Sequence, residues 1–204
     1  MANAAIQLYH FEECPYCEKA RRTLRLLGMN YESHIVDPKD RSEVKRISGQ
    51  PLVPVLVDGE TVVNDSTAII EYLNHHYAGD RDIIPAEPSL RGEAYILNRF
   101  AEEAWGELTY RAELEIDTEG HDLDDAGRKA LQEAINREAS VLDDFFDGRT
   151  YAVGDTISMA DIAISSFISR LTEFSDFTVP DSFENLWSWY RRIDTEVGEP
   201  VPVE

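Results

Sequence analysis

Only two cysteines occur in the 204 residues, Cys14 and Cys17, and they lie three apart. That pairing excludes a disulfide-stapled scaffold. A structural zinc site would need a second CxxC or finger-like spacing among His10, His34, His75, His76 and His121, and neither is there, so no metal is expected. Lysine is nearly missing as well: Lys19, Lys39, Lys45 and Lys129 stand against 15 arginines. With 40 Asp and Glu against 19 Lys and Arg the formal net charge is −21, and no basic stripe exists to displace phosphate counterions, which excludes nucleic-acid binding. No apolar run approaches the ~20 residues that a membrane span needs. Met1 to Phe11 lacks the charged start and long apolar stretch of a signal peptide. The expectation is a cytoplasmic protein off the membrane, where a CxxC is more often catalytic than structural.

What is present is a globular composition, 43% hydrophobic and 29% charged, in a chain long enough for one large or two small domains. The charge is uneven. Residues 1–78 carry a net −3 and the remainder a net −18. Such self-repulsion is tolerable where salt screens it, since the Debye length falls to ~3 Å at 1 M. The acidity is therefore read as an adaptation to a salt-accumulating, halophilic cytoplasm, the alternative being an acidic mesophilic protein with a basic partner. The melting temperature is expected to climb between 0.1 and 3 M KCl (round test concentrations); a flat curve removes the halophile reading.

Cys14-Pro15-Tyr16-Cys17 lies where a strand (Ala4 to Tyr9) hands over to a helix (Glu18 to Leu27). Pro15 suits the first helical position. Cys14 is then at the helix mouth, where unpaired N–H groups and the macrodipole favour a thiolate. Cys17 falls one turn later on the same face. A low-pKa thiol with a second thiol beside it is what thiol–disulfide exchange requires: Cys14 attacks and Cys17 resolves. A structural disulfide closing so short a loop would remove little unfolded-state entropy. Inert buried cysteines fit poorly, because Pro15 and Tyr16 do not extend an apolar stripe.

Further along, Gly28 reads as a C-cap and Tyr31 to Val36 alternates as a half-buried strand. Asp37 to Ser48 is loosely helical and is closed by Gly49. Leu52 to Val57 is a β-branched run broken by Pro54; Asp58-Gly59 signals a hairpin to Thr61–Val63, and Asn64 to Thr67 opens a helix to about Tyr77. This order, β-α-β-α-β-β-α, makes an α/β domain over residues 1–78. A turn-rich linker over 79–89 follows, then an all-helical domain over 90–204. Leu90, Ala94, Leu97, Ala101, Ala104 and Leu108 form one helical stripe. Ile116 to Asp125 reads as an acidic loop, Leu123 to Phe146 as a second helix, and Phe183 to Thr195 as the last. Ser158 and Asp161 spell a capping box with Ile157 and Ile162 as its staple, a folding signal rather than a catalytic one.

Three separated pieces of residues 4–78 resemble the thioredoxin-fold N-terminal domain of the glutathione-transferase superfamily, in its glutaredoxin-like branch: Cys14–Cys17, Val53-Pro54, and Asp65-Ser66. The Ser158–Asp161 capping motif is similar to that of the buried helix in the superfamily's all-α C-terminal domain. The resemblance implies a mixed sheet and a cis bond before Pro54, with the Val53 backbone free to pair with an extended thiol peptide. It implies that Asp65 and Ser66, at a helix N-terminus, receive the γ-glutamyl end of glutathione or a related γ-glutamyl thiol. Simple N-capping by Asp65 is compatible with that role. Tyr16 joins the thiol-binding set, and His10, Phe11, Trp105, Tyr110 and Arg111 are candidates for an acceptor pocket, with His10 also a candidate proton shuttle. Lys19, Arg21, Arg22 and Arg25 are read chiefly as a solvated helix face. The partners implied are low-molecular-weight thiols and disulfides, with a homodimer as one form the chain can take.

The fold does not choose among functions. A thiol–disulfide oxidoreductase fits the two cysteines best. A transferase conjugating the thiol to electrophiles needs a Tyr or Ser hydroxyl where Cys14 stands, Tyr9 being the nearby alternative. A regulatory or structural protein without chemistry has no use for both cysteines.

Overall fold

The computed structural model describes residues 6–117 and 123–198. The described residues divide into two compact units, one of residues 6–84 with 196–198, the other of residues 85–117 and 123–195.

In the first unit four strands, β1 (Ile6–His10), β2 (Tyr31–Ile35), β3 (Val55–Asp58) and β4 (Thr61–Asn64), pair in the order β2-β1-β3-β4. β1 and β2 run parallel, with Ile6 opposite Tyr31; β3 lies antiparallel to both β1 and β4. This is the mixed sheet expected for a thioredoxin-like domain. Alternation along β1 sorts its side chains by face. Ile6 and Leu8 pack with Ala20 and Leu24 of α1 (Pro15–Leu26) and with Ile69 and Leu73 of α3 (Ser66–Tyr77). Tyr9 points the other way, to Val44 of α2 (Ser42–Ser48) and Val55. The helix α2 is shorter than the charged stretch Asp37 to Ser48 suggested, because an Asp37–Asp40 bridge turns the chain first.

The second unit is all helical. α4 (Pro88–Phe100) passes through a π-helical turn (Ala101–Trp105) into α5 (Gly106–Asp117), so the stripe expected as one regular helix is interrupted. Of its members Ala94, Ala101 and Leu108 are buried, whereas Leu90, Leu97 and Ala104 are only half-buried. Asn98 and Trp105 take the intervening buried places. Half of the expected acidic loop, 118–122, lies outside the described residues; Ile116 and Asp117 still belong to α5, and α6 (Asp125–Phe145) starts at Asp125.

α7 (Met159–Phe174) is buried on all sides from Met159 to Leu171. The capping box at its start is formed: the Asp161 carboxylate accepts the Ser158 N–H at 2.9 Å and the Ser158 hydroxyl at 2.8 Å. It also accepts the Ala152 N–H at 2.7 Å and, from α8 (Glu184–Val197), the Trp189 indole N–H at 2.9 Å. Trp189 in turn stacks on Phe146, ring centroids 4.0 Å apart. Asp161 thus holds together three separate pieces of chain.

Candidate active site

The CxxC stretch lies where β1 hands over to α1, as its sequence context predicts, with Cys14 in the connection and Pro15 to Cys17 in the first helical turn. Cys14 is the N-cap of α1, with extended backbone, and Pro15 opens the first turn. The Cys14 Sγ accepts the backbone N–H of Cys17 at 3.4 Å, which uses one of the amides that a helix leaves unpaired at its start. An N-cap acceptor that becomes an anion gains from both that amide and the helix dipole. Both thiols are unbridged; Cys14 is partly exposed and Cys17 fully buried. Burial pushes the Cys17 thiol well above its ordinary pKa, with the neighbouring Cys14 adding to the rise.

The peptide between Val53 and Pro54 is cis, immediately before β3; Pro54 is buried and Val53 half-buried. Asp65 caps α3, its Oδ1 accepting the N–H groups of Thr67 at 2.8 Å and Ala68 at 3.0 Å, so the capping reading of this residue holds. Its φ of +75° is a strained value for a residue with a Cβ. Ser66 is buried, and its hydroxyl has no hydrogen-bond partner among the described residues. A buried hydroxyl at the start of a helix, left without a protein partner, is an uncommon state for a polar atom. Tyr16 is exposed at the first turn of α1.

The helix that carries the cysteines is not the solvated face expected. Lys19 is fully buried and donates to the Thr67 hydroxyl at 3.0 Å, tying α1 to the start of α3. Glu18, also buried, accepts Arg21 at 2.7 Å, Arg22 at 3.1 Å and Arg25 at 2.5 Å. Placing one carboxylate among three guanidinium groups is how these charges tolerate burial. The spacing of Glu18 with Arg21 and Arg22, three and four residues on, is the signal that would have found the cluster.

The remaining candidates fall in different places. His10 is buried at the end of β1, its Nε2 2.7 Å from the Ser33 hydroxyl; burial, then the Arg21 charge, lowers its pKa. Phe11 is half-buried under the Arg41 guanidinium, 4.8 Å from its ring centre. Trp105 is fully buried at the end of the π-helical turn, and its indole N–H has no partner among the described residues. Tyr110 is exposed and Arg111 half-buried, both on α5. Tyr9 sits on the α2 face of the sheet, stacked on His34 at 4.4 Å with its hydroxyl given to Gln7 at 3.1 Å. Burial raises its pKa, and its hydroxyl is already committed to Gln7. Among the described residues no three His, Cys, Asp or Glu side chains gather as a metal would need, and no helix is long and apolar enough to cross a membrane.

Comparison with known proteins bears on both units. Residues 8–81 match the family model for the glutathione S-transferase N-terminal domain, and residues 116–195 that for the glutathione S-transferase C-terminal domain. Glutathione S-transferase D6 of Drosophila melanogaster is 27% identical over 193 residues, 91% of this chain and 86% of its own. The Stringent starvation protein A homolog of Pasteurella multocida is 27% identical over 165 residues, 80% of this chain and 74% of its own. In fold the chain is similar to the glutathione transferase URE2P8 of Phanerochaete chrysosporium, crystallised with oxidised glutathione: TM-score 0.82 at 18% identity, covering 97% of this chain and 94% of that one. With both domain models matched in order along one chain, and each unit folded as its model requires, this protein belongs to the glutathione S-transferase superfamily.

Proposed function

We propose that the protein is a glutaredoxin-like thiol–disulfide oxidoreductase, using glutathione or another small γ-glutamyl thiol as its cosubstrate in the cytoplasm. One observation carries the reading: the Cys14 sulfur caps α1 and accepts the Cys17 amide, while a second thiol is kept protonated by burial one turn away. A Cys14 thiolate attacks one sulfur of a disulfide. A mixed disulfide forms on Cys14, and the departing thiolate takes up a proton from water. A small-thiol thiolate then attacks the outer sulfur of the mixed disulfide and frees the Cys14 anion. On the other route Cys17, on losing its proton, attacks Cys14 and expels the substrate thiolate; the Cys14–Cys17 disulfide so formed is reduced by two molecules of the small thiol, which leave joined as their own disulfide.

In this reading the thiol cosubstrate lies along the Val53 backbone beside Pro54 and against Tyr16, with its γ-glutamyl carboxylate at the Ser66 hydroxyl and its ammonium at Asp65. The unpartnered Ser66 hydroxyl supports that assignment. The conjugating reading is disfavoured because Tyr9 is committed to Gln7 and a cysteine holds the position a hydroxyl would need.

Wild type and Cys17→Ser are compared on a glutathione mixed disulfide and on insulin disulfides. The mixed-disulfide rate is expected to survive the substitution within about tenfold, because free thiol replaces Cys17, while insulin reduction is lost. Conjugation of an aryl halide by wild type, with neither reduction present, supports the transferase. Absence of all three reactions supports the regulatory reading.

A further inference from the structure

We infer that Arg21 is the positioning residue for Cys14: its guanidinium ties the loop ahead of the reactive sulfur to the helix that the sulfur caps. The inference rests on the oxidoreductase reading above and adds to it a residue that takes no part in binding thiol or disulfide.

Between the end of β1 and the first turn of α1 the chain has four residues, Phe11 to Cys14, in which to turn. Cys14 gives its carbonyl to the Glu18 amide of α1, but the Phe11 and Glu12 carbonyls lie in neither strand nor helix and need partners. Arg21 supplies them. Its Nη1 donates to the Phe11 carbonyl at 2.8 Å and its Nη2 to the Glu12 carbonyl at 2.7 Å. On the helix side Nε donates to Glu18 Oε2 at 2.7 Å, and on the strand side Nη1 reaches His10 Nδ1 at 2.8 Å. One planar group thus joins strand, loop and helix, and the loop it holds ends two residues later at Cys14.

The chemistry of the pair fixes the histidine. A guanidinium only donates, so His10 Nδ1 accepts; the ring proton is then on Nε2 and is given to Ser33 Oγ on β2, 2.7 Å away. His10 in this arrangement is a neutral buttress rather than a proton shuttle. The titratable and charged groups around the guanidinium are His10 on β1, Glu12 in the loop, Cys17, Glu18, Arg22 and Arg25 on α1, and Tyr31 on β2. Lysine cannot substitute, because one ammonium cannot span Phe11, Glu12, Glu18 and His10 in a fixed fork.

The test is the pH dependence of iodoacetamide alkylation of Cys14 in a Cys17→Ser background, read beside the melting temperature. Arg21→Lys keeps the charge and loses the fork. Its alkylation midpoint is expected to rise by about one pH unit, with mixed-disulfide kcat down about tenfold and KM for the thiol little changed. Arg22→Lys alters an equally buried arginine that bonds Glu18, and should leave the midpoint where it is. If Arg21→Lys lowers the melting temperature but not the midpoint, Arg21 is merely structural and the inference is overturned. Should that variant fail to fold, His10→Gln loosens the guanidinium from the strand side. A rise of about half a unit then supports the inference, and no rise overturns it. An ordinary thiol midpoint in the parent protein sinks the oxidoreductase reading itself, and the positioning role with it.

Discussion

Cys14→Ser is expected to lower reduction of a glutathione mixed disulfide by ~10³-fold or more while leaving the melting temperature within about 2 °C of wild type. The serine hydroxyl can still cap α1, since Ser is among the preferred N-caps, so the fold has no reason to change. What disappears is the only sulfur placed to ionise. Cys17 cannot stand in, because it is fully buried and burial holds its thiol protonated. An alkoxide at the same place is inaccessible near neutral pH and forms no mixed disulfide. The measurement is glutathione oxidation in a coupled assay, with melting followed in parallel. Activity within tenfold of wild type would remove Cys14 from the chemistry, and conjugation of an aryl halide by the serine variant would move the protein to the transferase reading.

Asp161→Ala carries the largest expected cost in stability, about 4 kcal/mol, or roughly 10 °C in a domain of this size. The carboxylate is fully buried and satisfies four donors: the Ala152 and Ser158 amides, the Ser158 hydroxyl and the Trp189 indole. Removing it leaves all four without their acceptor. Asp161→Asn should cost about 1–2 kcal/mol, because an amide oxygen can keep the Ala152 and Trp189 bonds, which share Oδ1. The two variants also differ from wild type in pH response. Burial outweighs the four donors and raises the Asp161 pKa, so the folded state holds this proton more tightly than the unfolded one. Its contribution is therefore full below about pH 4, the ordinary carboxylate value, and shrinks as pH rises through the folded value. Neither Ala nor Asn should show that slope. A thermal shift of less than about 3 °C for the alanine variant would mean the hub is dispensable.

The architecture was legible because its signals are local. Strand alternation, the Asp58-Gly59 hairpin, the Pro15 helix start and the Ser158–Asp161 box each fix a conformation over a few residues. What escaped depends on contacts between distant residues. Nothing near Asp161 in sequence names Trp189, 28 positions on. The charged first helix reads as a surface helix by composition, and only folding reveals that Lys19, Arg21 and Arg22 are enclosed. The π-helical turn was invisible for another reason: the stripe from Leu90 to Leu108 satisfies a regular 3.6 period, and that pattern carries no sign of a widened turn. Of the candidate site, Cys14, Cys17, Val53-Pro54 and Asp65-Ser66 were named from motifs. The spacing of Arg21 from Glu18 hints at an ion pair, but its hold on the loop runs through the Phe11 and Glu12 main-chain carbonyls, which a sequence does not distinguish.

The enclosure of Glu18 among its arginines has one more consequence. Dissolved ions can dull the mutual repulsion of exposed carboxylates and can weaken open pairs such as Arg99–Glu103, whose side chains are 75% and 64% accessible. They have no route to a carboxylate that is 3% accessible. Concentrated electrolyte would therefore change how firmly this polypeptide holds together without loosening the corner from which its sulfur works, and brine and fresh water would find the same reactive geometry.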